Sequence, residues 1–442
     1  MRAISKYLYV ISLDALSTLD FQYISTLPNF KNFLAEASYC KNVYSVYPTL
    51  TYPAHVSIVT GKYPKNHGIV NNTLLQPNRK SPDWYWYRDN IKGDTFYDLA
   101  IEKGMKVGAL LWPVTAKSKI QYNMPEIFAN RFWENQTMVS LLNGTPLFQY
   151  ELNKKFGYLR DGIRQPNLDN FVHQSLLYTI KNKCLDLTLV HYTDLDSTRH
   201  AYGFNSKEAK FALKRHDERI GEIVQALKEK GIYEESTIII LGDHSSLDVN
   251  KIINLNILLK DRGYIEVNSK GKITDYKAIF KSCDGCVYLY VKKNDSKILK
   301  EIIDLIEDFN RVYECIDAIY SREKALELGA DRKCSLMLEA KLSYYFQDKI
   351  YGELIEEINR GNLQRKNGYK LCNHGYSPFK PDYTTVFMAS GKGIKKGVIV
   401  EEMNLVDEGP TIAKLLGLEL KNTDGKVLEY LLDENCTKQI SN

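Results

Sequence analysis

Short apolar runs that end at acidic or histidine-bearing turns restrict the fold of this chain more than any other feature of its sequence. Three runs end in this way: residues 7–13 before Asp14, residues 187–190 before Asp194 and Asp196, and residues 237–241 before Asp243 and His244. Each run mixes leucine with β-branched residues, a composition typical of buried parallel strands. The sequence therefore predicts several such strands, each with polar side chains at its carboxyl end.

Segments with helical character separate these strands, at residues 28–37, 95–103 and 206–230. The alternation of strand and helix favours an α/β fold with a doubly wound, mostly parallel sheet. A last helix of this core is predicted at 403–416. Ligands of such sheets bind beyond the carboxyl ends of the strands. We therefore expect the acidic turns to lie at a binding site.

The sequence changes character between about residues 250 and 365. This stretch is rich in lysine, contains no histidine, and predicts a hairpin at 283–293 and a helix at 296–309. We interpret residues 251–365 as an inserted, smaller α+β subdomain that covers or supports the site. Residues 1–250 and 366–442 would then form the catalytic core.

The composition excludes several classes of partner. Hydrophobic residues make up 44% and charged residues 26% of the 442 residues, as in ordinary soluble globular proteins. The net charge is only +5, with basic and acidic residues interspersed, so no nucleic-acid polymer is expected as a partner. The apolar run at 7–13 is too short to span a bilayer and leaves no room for a signal peptide before Asp14. We expect a cytoplasmic protein that binds no membrane.

Cys283 and Cys286 form a CxxC pair among eight scattered cysteines. No second CxxC or histidine pair lies at zinc-finger spacing from them. We interpret them as reduced cysteines in a hairpin or at a strand end.

Two groups of metal-ligating residues can be assembled from these turns. Carboxylate and imidazole are zinc ligands, and the first group comprises Asp14, Asp243 and His244. The second comprises Asp196 and His200, which one helical turn would place on the same face, with His374 able to complete it. Two metals about 4 Å apart can bind the attacking and leaving oxygens of an in-line displacement at phosphorus.

A nucleophile is available in the segment at 47–72. Pro53 suits the first turn of a helix and Gly61 suits its C-terminal cap, so Thr51 would stand at the N-terminus of a short helix. A helix N-terminus offers free amides to a phosphate. A threonine hydroxyl must be activated to attack, and metal coordination is one means of activation.

Seven stretches of the chain together resemble one known family. They are SLD at 12–14, PTLTYPAH at 48–55, TGKYPKNHGIVNN at 60–72, LLWP at 110–113, DSTRHAYG at 196–203, GDH at 242–244 and NHG at 373–375. In this order, and over nearly the whole chain, they are similar to the nucleotide pyrophosphatase/phosphodiesterase family of the alkaline phosphatase superfamily. The resemblance implies an alkaline phosphatase-like core and hydrolysis of a small phosphate diester or nucleotide.

The resemblance also implies roles for individual residues. One zinc would be held by Asp196, His200 and His374, and the other by Asp14, Asp243, His244 and Thr51. Manganese or iron could replace zinc, because mixed carboxylate and histidine sets accept several metals. Thr51, rather than Thr49, matches the family's nucleophile because it directly precedes the aromatic–proline pair, and it would form a phospho-threonine intermediate. Asn72 and the Tyr52 amide would hold a non-bridging phosphate oxygen, and the Tyr52 ring would stack on a nucleobase.

The chain departs from the family's pattern beside these residues. Ala54 replaces the usual asparagine before the motif histidine, and Ser245 and Ser246 follow the Asp-His pair in place of Gly-Met or a relative. Neither change removes a metal ligand, so both bear on the shape of the substrate pocket.

Other polar and aromatic residues receive structural interpretations. His55 and His67 are expected to brace the nucleophile turn by hydrogen bonds, and Asp194 to form a turn. The remaining residues of this kind are interpreted as packing, although the aromatic ones could line a base pocket: His173, His191, His216, Trp112 and the aromatic cluster at 84–87.

Two other functions remain open at this point. A phosphomonoesterase or a phosphonate hydrolase of the phosphonoacetate type would share the fold and the threonine. A non-catalytic, metal-holding nucleotide binder belongs to a different class, and the intact ligand set and nucleophile argue against it. Asn72 and Tyr52 favour the diesterase, because they suit a phosphate that carries an organic group.

Overall fold

The strands and helices alternate as the sequence predicts. A computed structural model describes residues 3–358 and 369–433. The strands are β1 Tyr7–Leu13, β2 Ser38–Tyr44, β3 Val107–Leu110, β4 Tyr122–Met124, β5 Leu187–Tyr192, β6 Ser236–Leu241, β7 Leu247–Ile253, β8 Ile265–Val267, β9 Ile273–Tyr276, β10 Ala278–Cys283, β11 Cys286–Val291, β12 Ile316–Ser321, β13 Leu336–Ala340, β14 Ser343–Phe346, β15 Ile355–Glu357, β16 Cys372–Asn373, β17 Thr385–Gly391, β18 Ile399–Val400 and β19 Met403–Asn404. The helices are α1 Phe21–Ile24, α2 Pro28–Glu36, α3 Thr51–Thr60, α4 Pro64–His67, α5 Phe96–Glu102, α6 Gln136–Asn143, α7 Pro146–Phe156, α8 Asn167–Lys183, α9 Asp194–Tyr202, α10 Lys207–Lys230, α11 Leu255–Asp261, α12 Ser296–Tyr313, α13 Arg322–Glu327 and α14 Glu408–Leu415.

The central sheet has nine strands in the order β18-β2-β17-β6-β1-β5-β3-β4, with β19 beside β2. Strand β1 pairs in parallel with both β5 and β6, which brings the three predicted strands together at the middle of the sheet. Strand β17 runs antiparallel to its neighbours β2 and β6, and the other pairings are parallel. The doubly wound, mostly parallel sheet is therefore confirmed.

Helices cover both faces of this sheet. Leu8 and Val10 of β1 point into one hydrophobic cluster, which contains side chains of α3, α5 and α14. Tyr9 and Ile11 point into a second cluster, together with side chains of α2, α8 and α10. Successive side chains of a strand face opposite sides, so a strand that is covered on both sides is apolar throughout. This explains the continuous apolar runs of the sequence.

The predicted helices are found, and three of them begin at identifiable caps, one of which is Asp295, whose side chain accepts from the Lys297 and Ile298 amides ahead of α12. Thr95 accepts a hydrogen bond from the Asp98 amide ahead of α5, and Ser206 accepts one from the Ala209 amide ahead of α10. Such caps satisfy amides that the first turn of a helix leaves unpaired.

The helix predicted at 403–416 begins later than expected. Residues 403–404 instead form β19 on the central sheet, and residues 405–407 form a 3₁₀ turn before α14. Asn404 and Asp407 make a reciprocal capping box, in which the Asn404 amide donates to Asp407 Oδ2 over 3.1 Å. A capping box marks the N-terminal end of a helical segment, so residues 403 and 404 lie outside it and the 3₁₀ turn leads directly into α14.

A second sheet lies in the region interpreted as an insertion. Strands β10, β11, β13 and β12 form an antiparallel four-stranded sheet, and a separate hydrophobic cluster contains its side chains with those of α12. The division into a core of 1–250 and 366–442 and an insertion of 251–365 stays a prediction. Strand β7 runs across the proposed boundary at 250, and it pairs with β16 beyond the insertion.

Cys283 and Cys286 lie opposite each other at the ends of β10 and β11, both buried and without a disulfide. Their predicted place in a hairpin is confirmed. Among the described residues, no helix has both the length and the apolar character needed to cross a membrane.

Candidate metal centre and active site

Two neighbouring parallel strands place the first group of predicted ligands. Asp14 follows β1, and its amide donates to the Tyr192 carbonyl over 2.9 Å. Asp243 and His244 follow β6, and Asp243 Oδ1 accepts a hydrogen bond of 3.1 Å from the Ala15 amide. Ligand atoms of Asp14, Asp243 and His244 all lie within 4.8 Å of one another, and the three side chains are buried. They form a compact three-ligand set, here called set A.

Helix α9 and the loop after β16 place the second group. Asp196 Oδ2 lies 3.2 Å from His200 Nε2, as expected for residues four apart on a helix. His374 approaches from β16, with its Nε2 atom 3.8 Å from Asp196 Oδ1. Ligand atoms of Asp196, His200 and His374 also lie within 4.8 Å of one another, and these residues are here called set B.

The two sets lie against each other. The imidazole rings of His244 in set A and His374 in set B are stacked, with centroids 4.0 Å apart and planes at 22°. The remaining nitrogens of the set B histidines are held by the backbone, because His200 Nδ1 lies 2.7 Å from the Cys372 carbonyl and His374 Nδ1 lies 3.1 Å from the Thr49 carbonyl. These bonds leave the Nε2 atoms for metal ligation.

The carboxylates of both sets suit cations. Asp14 Oδ1, Asp196 Oδ1 and Asp243 Oδ2 are buried and have no hydrogen-bond partner among the described residues. Burial, and then the nearby Asp243 and Asp196 charges, raise the pKa of Asp14 well above its ordinary value. Burial also raises the pKa of Asp243. For Asp196 burial acts in the same direction, but His200, together with His374 and His244, outweighs it, and the net pKa is lowered. Buried carboxylate oxygens without partners are unfavourable unless a cation binds them, so both sets fit divalent metal ions.

Thr51 lies at the edge of set A. It is the first residue of α3, and its Oγ1 atom is 3.3 Å from His244 Nε2. Gly61 ends the helix in a left-handed conformation, as the sequence predicts. Thr49, by contrast, is completely buried and its Oγ1 accepts a hydrogen bond from the Gly375 amide over 2.9 Å. Thr49 therefore supports the His374 loop, and Thr51 is the threonine that faces the ligands.

The two predicted phosphate-binding groups contact each other. The Tyr52 amide donates a hydrogen bond of 2.9 Å to Asn72 Oδ1. Because Oδ1 accepts this bond, the Nδ2 atom is the part of the Asn72 amide that remains to donate to a phosphate oxygen. The Tyr52 amide is engaged by Asn72 in this structure, which differs from its predicted role as a second donor to the phosphate.

Tyr52 belongs to an aromatic cluster beside the nucleophile. Its ring lies 5.1 Å from that of Trp84, which in turn lies 5.3 Å from that of Phe128. Tyr52 is 0% exposed, whereas Trp84 is partly exposed. Stacking of a base on the Tyr52 ring stays a prediction, and the ring is fully buried in this structure. Trp112 is fully buried against His55 and acts in packing.

The structure adds two residues that the sequence did not indicate as parts of the site. His191 Nε2 lies 3.1 Å from Asp14 Oδ2, and His191 Nδ1 lies 2.9 Å from Glu126 Oε2. Burial lowers the pKa of His191, but the bonds to Asp14 and Glu126 outweigh it and raise the pKa well above its ordinary value. No local sequence pattern connects His191 to Glu126, so the sequence alone gives His191 only a packing interpretation.

The remaining polar residues brace the site. His55 Nδ1 lies 2.8 Å from the Thr51 carbonyl and His67 Nε2 lies 2.9 Å from Ser57 Oγ, so both histidines contact α3 as predicted. Asp194 is buried and accepts hydrogen bonds from Arg215. It belongs to neither set, and it is the first residue of α9 rather than the turn residue that the sequence predicts.

The fold and the two facing sets define a class: a metal-dependent hydrolase whose site lies at the carboxyl ends of a doubly wound sheet. Residues 8–377 match the family model of type I phosphodiesterase / nucleotide pyrophosphatase. The chain belongs to this family, and its enzyme class is that of a phosphodiester or pyrophosphate hydrolase.

Individual relatives are distant but match over most of their length. The cattle bis(5'-adenosyl)-triphosphatase ENPP4 is 25% identical over 97% of this chain and 83% of its own. Mouse ectonucleotide pyrophosphatase/phosphodiesterase family member 7 is 22% identical over 95% and 85%. Among solved structures, an inactive form of murine ectonucleotide pyrophosphatase/phosphodiesterase 5 in complex with AMP has a TM-score of 0.64 at 18% identity and covers 97% of this chain and 100% of its own. This likeness shows the same fold.

Proposed function

We propose that this protein hydrolyses the phosphodiester or pyrophosphate bond of small nucleotide substrates, with Thr51 as the nucleophile. The observation that carries the proposal is the position of Thr51 Oγ1, 3.3 Å from His244 Nε2 at a helix N-terminus beside two ligand sets. A helix N-terminus and a nearby cationic centre both stabilise a phosphate next to the attacking oxygen.

Set A and set B would each hold one divalent ion, with zinc as the first choice and manganese or iron as substitutes. When bound, such ions would stabilise negative charge on the oxygens around phosphorus. The protein's own contribution is to hold the ligands in place, through the backbone carbonyls behind His200 and His374 and through the Ala15 amide behind Asp243.

Thr51 then carries out a two-step displacement. Its Oγ1 forms a bond to phosphorus while the bond from phosphorus to the leaving oxygen breaks, and the product is a phospho-threonine ester. The threonine hydroxyl loses a proton in this step, and the leaving oxygen gains one. Water hydrolyses the ester in the second step and restores Thr51. Asn72 Nδ2 is placed to donate to a non-bridging oxygen in both steps.

The substrate is proposed to be a nucleotide because an aromatic cluster adjoins the nucleophile. Tyr52 follows Thr51 directly, and its ring makes an edge contact with the partly exposed ring of Trp84. The AMP complex of the murine structure and the name of the cattle triphosphatase support the same class of ligand. The released product would be a nucleoside monophosphate. A cytoplasmic location stays a prediction. Several relatives, by contrast, are named ectonucleotide enzymes.

The test is hydrolysis of p-nitrophenyl thymidine monophosphate, a diester, beside p-nitrophenyl phosphate, a monoester. Zinc-loaded wild type should prefer the diester, and Thr51→Ala should lose activity by roughly 10³-fold or more, as expected for removal of a nucleophile. Thr51→Ser keeps the hydroxyl and should retain much of the rate. Thr49→Ser, two residues before Thr51, is the matched control.

The alternatives give different results in the same assay. A preference for the monoester would indicate a phosphomonoesterase, and turnover of phosphonoacetate alone would indicate a phosphonate hydrolase. If Thr51→Ala matched the wild-type rate on the diester, threonine would not be the nucleophile.

A further inference from the structure

A chain of hydrogen bonds connects the aromatic cluster to set A. Tyr52 Oη donates to Glu126 Oε1 over 3.1 Å, Glu126 Oε2 lies 2.9 Å from His191 Nδ1, and His191 Nε2 lies 3.1 Å from Asp14 Oδ2. The four side chains come from α3, from the loop after β4, from β5 and from the end of β1. Here they are called the Tyr52–Asp14 chain.

The Tyr52–Asp14 chain is shielded from water. His191 and Tyr52 are 0% exposed, while the side chains of Asp14 and Glu126 are 4% and 19% exposed. Hydrogen bonds in such surroundings hold side chains in one geometry, because water cannot replace a lost partner. The two Glu126 oxygens contact different side chains, and the two His191 nitrogens contact different carboxylates, although His191 Nδ1 also lies 3.3 Å from the Leu111 carbonyl.

This arrangement decides which oxygen of Asp14 faces set A. Asp14 Oδ2 is engaged by His191, whereas Oδ1 is buried without a hydrogen-bond partner among the described residues and lies 3.5 Å from His244 Nε2. Because His191 binds Asp14 Oδ2, the Oδ1 atom is the one that would face a cation in set A. Partners behind a ligand typically change metal affinity or activity by about 10–100-fold when they are removed.

The Tyr52–Asp14 chain also reaches the helical turn that carries the nucleophile Thr51. Tyr52 follows Thr51 in the first turn of α3, where its amide is already bound to Asn72 Oδ1. The bond from Tyr52 Oη to Glu126 adds a second anchor at the far end of the ring. The geometry of Asp14 and that of the turn carrying Thr51 thus depend on one shared carboxylate.

We propose that Glu126 and His191 are positioning residues that align the Asp14 ligand oxygen with the Thr51 turn. This inference rests on the proposed function for its catalytic consequence. Its consequence for metal affinity does not depend on which substrate the protein hydrolyses.

The experiment uses the full chain with Glu126→Gln, an isosteric change at the least buried member of the Tyr52–Asp14 chain. A glutamine carries no charge and only one acceptor oxygen, so it cannot accept hydrogen bonds from both Tyr52 Oη and His191 Nδ1. Zinc affinity is measured by competition with a chromogenic chelator, and kcat and KM are measured on p-nitrophenyl thymidine monophosphate. We expect one of the two zinc sites to weaken and kcat to fall, each by about 10-fold or more.

Further variants separate positioning from general damage. Glu151→Gln is the matched control and should keep the wild-type zinc affinity and kcat. Glu151 also accepts a hydrogen bond from a tyrosine, Tyr178, and its Oε2 atom lies 2.7 Å from Lys183 Nζ, away from the site. Tyr52→Phe removes only the hydroxyl and should lower kcat in wild type but not in the Glu126→Gln background, because interacting residues are not additive. Glu126→Asp should recover part of the zinc affinity.

Zinc affinity and kcat within twofold of wild type in Glu126→Gln would overturn the inference. A wild type that holds zinc but does not turn over the diester would instead overturn the proposed function, and the zinc competition would still decide the role of Glu126.

Discussion

The Tyr52 amide donates a hydrogen bond of 2.9 Å to Asn72 Oδ1. This contact fixes the Asn72 carboxamide against the first turn of α3 and separates its two functional atoms. Oδ1 serves the fold, and Nδ2 is left for the substrate.

Asn72→Asp is expected to separate these two roles. The carboxylate can still accept from the Tyr52 amide, but it cannot donate and it repels phosphate. Removal of a donor to a developing oxyanion typically lowers kcat by about 10²–10³-fold. We expect a loss of that size on the diester at nearly unchanged thermal stability. Asn72→Ala should lose both rate and stability, and an Asn72→Asp rate within threefold of wild type would contradict the assignment of Nδ2.

Removal of metal is expected to destabilise the protein as well as inactivate it. Asp14, Asp196 and Asp243 each have a buried oxygen without a hydrogen-bond partner among the described residues, and a bound cation would satisfy it. An ion at 100 times its dissociation constant adds about 2.7 kcal/mol to the folded state. Scanning fluorimetry after chelation should show a lower Tm that zinc or manganese restores. The decrease in Tm on chelation should be smaller in Asp196→Asn and unchanged in Asp161→Asn, which alters an exposed carboxylate. A wild-type Tm that does not change on chelation would contradict both metal sites.

Arg199 is expected to be essential for stability. It lies between Asp196 and His200 on α9, is 1% exposed, and donates to the Asp20 carboxylate and to the Ala15 carbonyl next to Asp14. Loss of one partner of a buried ion pair costs about 3–5 kcal/mol, because the other charge stays buried.

The measurement for Arg199 is urea unfolding of Arg199→Met, for which we expect a decrease of that size. Arg164→Met is the matched control, because Arg164 pairs with Asp161 at the surface, where the two side chains are 79% and 58% exposed. Such pairs contribute little. Equal unfolding free energies for the two variants would show that Arg199 is not stabilising.

His67 is expected to make the protein less stable in acid. Burial, with a smaller effect of Lys62, lowers its pKa from 6.5 to about 3. Its Nδ1 accepts from the Ile69 amide over 3.1 Å, so a proton there would remove the bond. The unfolded chain takes up a proton below pH 6.5 and the folded chain does not, so stability falls with decreasing pH towards the folded pKa of about 3.

The size of this effect is up to about 1.4 kcal/mol per pH unit. Unfolding free energies of wild type and His67→Gln should therefore converge as the pH is lowered from 7.5 to 4.5, whatever their difference at neutral pH. A constant difference across this range would show that His67 does not remain neutral in the folded protein.

The sequence by itself determined the elements that depend on local geometry. The strands at 7–13, 187–192 and 236–241 follow from apolar runs that are buried on both faces. Asp196 and His200 share a face because a helix repeats every 3.6 residues. Helix α3 begins at Thr51 because Pro53 suits a first helical turn, and it ends before Gly61 because glycine suits the C-terminal cap. The family motifs contain all six members of the two ligand sets. These residues could be predicted because each motif is a short, local pattern in the sequence.

Only the tertiary structure decided how these pieces meet. The stacking of His244 on His374 and the path from Tyr52 through Glu126 and His191 to Asp14 join elements that are far apart in the chain. These contacts depend on the strand order around β1 and on the loops that follow the strands. A histidine within an apolar strand looks the same in sequence whether it packs or holds a ligand, because its role depends on partners that other elements supply.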